Sequence, residues 1–126
     1  MKQHASIIVQ SGFEILFIDF SNLSGEEFIA AVEQVKKYCL QLPSDKHYPS
    51  ITDMSNAKTN TRVRDALSKM EKEIKVHHKG KEPDKIKVVV GIKGLQKLVA
   101  GAITKGITYL PGKQEAIDFI IKGSLV

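Results

Sequence analysis

The chain has 126 residues, 42% of them hydrophobic and 26% charged, with 19 basic against 14 acidic side chains and a net charge of +5. That length suits a single domain, 1–126, whose one core withdraws roughly two thirds of the unfolded chain's surface from water. The composition excludes a disordered or fibrous chain, and the apolar runs, broken by Lys or Asp, fall well short of the roughly 20 residues that span a bilayer.

The first residues, Met1-Lys2-Gln3-His4-Ala5, carry no long apolar stretch and no small-residue cleavage site, so the expected setting is the cytoplasm. Residues 6–9 and 13–20 then read as two extended runs around Gln10-Ser11-Gly12, a hairpin signal in which glycine supplies the turn. The second run is almost wholly apolar. It predicts a central strand covered on both faces, as a parallel α/β sheet requires.

Ser24-Gly25-Glu26-Glu27 has the Ser-x-x-Glu form of a capping box, and a helix over 25–42 is predicted after it. The only cysteine, Cys39, falls on that helix's apolar stripe with Phe28, Val32, Val35 and Leu42. It reads as a buried side chain rather than a reactive thiol, and a lone cysteine excludes an internal disulfide. Pro43 and Pro49 bracket a polar loop, and 50–54 reads as a short strand.

Asn60 is the expected N-cap of a helix over 61–78, where Val63, Leu67, Met70 and Ile74 recur at helical spacing and Gly80 and Pro83 stop the pattern. Residues 85–91 form a β-branched strand, 95–104 an apolar helix, 107–110 the last strand, and 113–121 a closing helix with Ala116, Ile117, Ile120 and Ile121 on one face. The order β-β-α-β-α-β-α-β-α predicts an α/β fold with a mostly parallel sheet and an antiparallel amino-terminal strand. No internal repeat or linker is apparent.

Three stretches carry a resemblance: Glu14-Ile-Leu-Phe-Ile-Asp-Phe-Ser-Asn-Leu-Ser-Gly-Glu-Glu, Ile51-Thr-Asp-Met-Ser-Asn and Val88-Val-Val-Gly-Ile-Lys-Gly-Leu. Together they resemble a mostly uncharacterised group of bacterial proteins described as STAS/SEC14-like. The resemblance covers nearly the whole chain and implies the sheet and helix layout of the anti-sigma-factor antagonists, the STAS domains. In signalling STAS domains, Asp-Leu-Ser-Gly at a strand end leads to an Asp-Ser-Ser-Gly stretch whose serine accepts phosphate and switches partner binding. Asp53-Met54-Ser55-Asn56 resembles the first part, but the matching helix start is Asn60-Thr61-Arg62-Val63, with no serine pair and no glycine. Thr61 is the nearest hydroxyl, and Arg62 stands where the family usually has a small residue.

Chemistry-bearing groups are sparse. Asp19 and Asp53 fall at carboxyl ends of predicted strands, where open α/β sheets bind ligands; two carboxylates there suit Mg²⁺ beside a phosphate, and short polar residues after strands equally cap turns. Gly91-Ile92-Lys93-Gly94 has the elements of an anion site without matching a phosphate-loop or dinucleotide fingerprint, and a tight turn accounts for the same residues. His77 and His78 are adjacent, so they diverge by about 100° on a helix and cannot chelate one metal as an i, i+4 pair does. No metal and no cofactor is expected.

Charge is unevenly spread: residues 1–57 hold four basic and seven acidic side chains, whereas 58–97 hold twelve and five, a net of +7. Such a segment suits nucleic acid, anionic lipid or an acidic protein partner, and a solvated face accounts for the same charges; without Phe, Tyr or Trp in it it lacks the stacking surface of single-strand nucleic-acid binders. Glu71 and Lys75 have the spacing of a favourable helical ion pair.

The leading expectation is therefore a non-catalytic, regulatory, STAS-like interaction module. A protein partner would dock at Asp53, Ser55, Asn56, Thr61, Arg62 and Arg64. A SEC14-like domain for a small ligand or lipid, using the apolar helix 95–104, is the alternative. A Mg²⁺-dependent enzyme acting on phosphorylated substrates through Asp19 and Asp53 is the third.

Overall fold

A computed structural model describes residues 3–46, 48–78, 87–92 and 107–124. Its elements are β1 (Ala5–Gln10), β2 (Phe13–Asp19), α1 (Gly25–Leu40), β3 (Ser50–Asp53), α2 (Thr61–His77), β4 (Lys87–Val90), β5 (Ile107–Leu110) and α3 (Lys113–Ser124). The helix expected over 95–104 lies outside the described residues, as do Lys93 and Gly94. The five strands form one sheet in the order β1-β2-β3-β4-β5, antiparallel between the first two and parallel thereafter. The fold class is α/β, with the antiparallel amino-terminal strand the sequence predicted. Among the described residues no helix is long and apolar enough to cross a membrane.

The hairpin closes through Ser11 at φ 51° and Gly12 at φ 80°, so both loop residues are left-handed, the geometry that matches the twist of the flanking strands. From it β2 runs inward with a different core on each side. Ile18, with Phe20 just beyond the strand, joins Phe28, Val32 and Val35 of α1 and Val63 and Met70 of α2. Ile15 joins Ile51, Val88 and Val90 of the neighbouring strands and Ala116, Ile117 and Ile120 of α3. Two layers of helix thus cover the sheet, α1 and α2 on one face and α3 on the other. Phe20 and Phe28 anchor the first core with ring centroids 5.0 Å apart, inside the range of favourable aromatic pairs.

The amino-terminal cap of α1 is not the expected one. Ser24 makes no side-chain cap bond. The chain enters the helix through Gly25 at φ 55°, a left-handed step unlike the first residue of a capping box, so the Ser24 hydroxyl does not serve the Glu27 turn. At its other end α1 stops at Leu40, two residues before the expected end; Gln41 and Leu42 donate to the carbonyls of Tyr38 and Cys39 in a tightened last turn. Pro43 disfavours helical backbone at the residue before it, which accounts for the early stop.

α2 begins as expected, with Asn60 Oδ1 accepting the N–H of Val63 at 2.8 Å. Its last residues fix the Pro43–Pro49 loop: the ring nitrogens of His77 and His78 lie 2.7 Å from the Leu42 carbonyl oxygen and 3.0 Å from that of Ser44. The two adjacent histidines therefore hold a loop, and among the described residues no group of His, Cys, Asp or Glu has the arrangement of a metal site. Lys36 joins α1 to α2, its ammonium 3.0 Å from Glu33 and 3.1 Å from Glu73. Those two carboxylates raise its pKa above the ordinary lysine value.

Candidate site at the carboxyl end of the sheet

Parallel strands end together, and here β2 and β3 finish on register partners, Asp19 and Asp53. Each aspartate then does the same thing. Asp19 Oδ1 accepts the N–H of Ser21 at 2.9 Å and its hydroxyl at 2.6 Å; Asp53 Oδ1 accepts the N–H of Ser55 at 2.9 Å. Both turns go on to an asparagine in left-handed backbone, Asn22 at φ 62° and Asn56 at φ 57°, a conformation asparagine adopts more readily than most residues. The Asn56 amide reaches Asn22 Oδ1 at 3.3 Å.

The chain thus uses Asp-x-Ser-Asn twice, at 19–22 and 53–56. A search for long internal repeats passes over a unit this short. Its signal was available all the same, since each tetrapeptide begins at the end of a predicted strand. The two copies are also joined through the backbone. Phe20 donates to the Asp53 carbonyl at 2.9 Å, Asn22 to Ser55 at 2.8 Å and Lys58 to Leu23 at 2.9 Å, while Met54 donates to Val90 at 2.9 Å. Pairing therefore continues past the strand ends into the loops. Such loops lose little further entropy when a partner docks.

Gly91 completes the platform from β4. A Cβ there would stand 2.7 Å from both the Cα and N of Ser55, closer than any side chain tolerates, and the backbone is left-handed at φ 84°. The glycine is required by close approach to the Asp53 turn as well as by the turn it makes itself.

The expected binding residues divide into two groups. Asp53, Ser55 and Asn56 form one turn, with the Asp53 and Ser55 polar groups directed at each other. Thr61, Arg62 and Arg64 are exposed at the start of α2. Arg62 Nη1 pairs with Glu26 Oε1 in the first turn of α1, with 70% and 73% of the two side chains exposed, so this pair adds little stability. The site residues that sequence reasoning missed are Ser21 and Asn22.

The carboxylates sit at the carboxyl end of the sheet, as expected, but the sheet has no reversal of strand order. Open α/β proteins place ligand crevices where that order reverses and neighbouring helices splay to opposite faces. Here α1 and α2 share one core on one face. The SEC14-like reading relied on the helix over 95–104, and the anion reading on Lys93 and Gly94, all outside the described residues. No protein-family model matches the chain, and no curated protein matches it.

Proposed function

We propose that the protein is a cytoplasmic, non-catalytic interaction module of STAS-like type, which docks an acidic surface of a protein partner on the loop 53–62 and the start of α2. The observation that carries this reading is the joining of the two Asp-x-Ser-Asn turns. Their aspartates cap turns, and their backbones bond to one another. What they present outward is a fixed loop bearing exposed Asn56, followed by the start of α2 with exposed Thr61, Arg62 and Arg64. Binding residues concentrate on loops held by a rigid scaffold, and arginine is well suited to carboxylate and phosphate groups because its planar fork bonds them in pairs.

The net +7 of residues 58–97 gives the partner its sign, because complementary charge speeds encounter and excludes like-charged competitors. The test is pull-down from lysate with the intact chain, the Arg64→Glu variant and the Arg62→Glu/Arg64→Glu variant. A partner recovered by the wild type and lost with charge reversal supports the reading. Equal recovery with all three proteins counts against it.

A further inference from the structure

β1 is an edge of the sheet, and among the described residues nothing pairs with its outer side. The direction of its backbone groups follows from one bond. Asp19 donates to the His4 carbonyl at 2.8 Å, which makes His4 and Asp19 a hydrogen-bonded pair. Alternation along an antiparallel ladder then makes Ser6 with Phe17, Ile8 with Ile15 and Gln10 with Phe13 the other such pairs. The N–H and C=O groups of Ala5, Ile7 and Val9 therefore face the open edge.

Proteins usually blunt such an edge with a charge, a proline, a bulge or a covering segment. β1 reads Ala-Ser-Ile-Ile-Val-Gln, with neither a charge nor a proline, and its register with β2 runs without a bulge from Ala5↔Ile18 to Gln10↔Phe13. Val9 is 62% exposed. Just before the strand, the His4 N–H donates to Gln34 Oε1 of α1 at 2.6 Å. The open backbone groups call for another strand.

We propose that β1 pairs antiparallel with β1 of a second copy of this chain about a two-fold axis through Ile7, joining the two sheets into one. A two-fold axis perpendicular to the sheet maps each face onto itself, so facing residues must lie on the same face. The outward groups meet that condition, since they belong to alternate residues. The axis through Ile7 sets Ile7 opposite Ile7 and Ala5 opposite Val9, which satisfies all the outward groups with about six main-chain hydrogen bonds. It also brings the exposed Val9 beside the small Ala5. Neutrality points to a second copy rather than a charged peptide: a charged strand would repel its own twin, and this one has nothing to repel or to attract by charge.

Light scattering coupled to size exclusion, run on the full chain over a wide concentration range, should give twice the 14.0 kDa of one chain. Val9→Lys places a charge at an exposed edge position and should return the mass to 14.0 kDa, with the circular dichroism spectrum unchanged. Ile7→Cys should cross-link between copies on oxidation, because hydrogen-bonded antiparallel partners have Cα atoms about 5.5 Å apart, within disulfide reach. Ile8→Cys should not cross-link, since it lies on the other face opposite Ser6. A wild type that stays at the single-chain mass throughout overturns the proposal. So does a dimer that persists in Val9→Lys while Ile7→Cys fails to cross-link. If Val9→Lys does not fold, the two cysteine variants decide by themselves.

Discussion

Asp19 and Asp53 are register partners on adjacent parallel strands, and each accepts, through its Oδ1, a hydrogen bond from the N–H of the serine two residues on. Two like charges facing each other across a sheet repel, so the turn bonds offset a cost inherent in the pairing. Asp53→Ala removes the acceptor for Ser55 and should cost about 1–2 kcal/mol. Asp53→Asn keeps an acceptor oxygen and removes one of the facing charges, so it should stay within about 0.5 kcal/mol of the wild type. Urea unfolding of both variants checks this; equal losses would mean that the charge matters and the bond does not.

Gly91→Ala should be among the most disruptive single-methyl changes. The new Cβ meets backbone atoms of Ser55, which cannot rotate away, and the residue must keep φ near 84°. Together these should cost about 2–4 kcal/mol. Adding Ser55→Ala should give little relief, because the Ser55 N and Cα remain in place. Full rescue by the double variant would show that only the hydroxyl was in the way.

Cys39 is buried at 3% exposure, and burial pushes its thiol pKa from an ordinary 9.0 up to about 11. The folded thiol should react slowly with maleimide at neutral pH and quickly once urea unfolds the chain. The unfolded thiol ionises near pH 9 and the folded one only near 11, so stability is full below pH 9 and declines above it, by a limiting amount of about 2–3 kcal/mol. Lys36 adds a loss of the same sign at high pH. Comparing urea midpoints of wild type and Cys39→Ala against pH isolates the cysteine share, which is absent if the two curves run parallel.

Asn60 caps α2 through Val63, and Asn60→Ala should cost about 1 kcal/mol. Asn60→Asp should retain most of the stability, since it keeps the acceptor and places a negative charge at the helix start. Because this cap fixes where Thr61, Arg62 and Arg64 begin, partner recovery should fall more with Asn60→Ala than with Asn60→Asp.

The layout was legible where periodicity had one physical meaning. The almost wholly apolar run of β2 corresponded to a strand with a core on each side, the stripe of α1 and the cap of α2 each corresponded to a real face or end, and the hairpin turn fell within Gln10-Ser11-Gly12, with Gln10 closing β1. The end of α1 was misjudged because the apolar stripe extends to Leu42, while Pro43 restricts the backbone of the residue before it. The Ser24 cap failed for a related reason: residue types set who is able to bond, whereas the left-handed Gly25 decided where the hydroxyl pointed.

The candidate site was harder to see. Asp53, Ser55 and Asn56 were singled out as one segment, yet their partners Asp19, Ser21 and Asn22 lie 34 residues earlier in the chain. Only strand register brings the two sets side by side, and register between parallel strands depends on the crossover that joins them rather than on either strand's own sequence. The role of Gly91 was hidden likewise, because a glycine that makes a turn and a glycine that admits a neighbour look alike in one dimension.

The strands stand in the sheet in the order in which they occur in the chain. No strand has to insert between two that are already paired, so assembly can proceed outward from the hairpin as the polypeptide emerges from the ribosome. Each arriving strand covers the edge left by its predecessor. Among the described residues nothing covers the outer side of β1 in this way, so the pairing proposed between two copies needs only the hairpin and can begin before the rest of the sheet is in place.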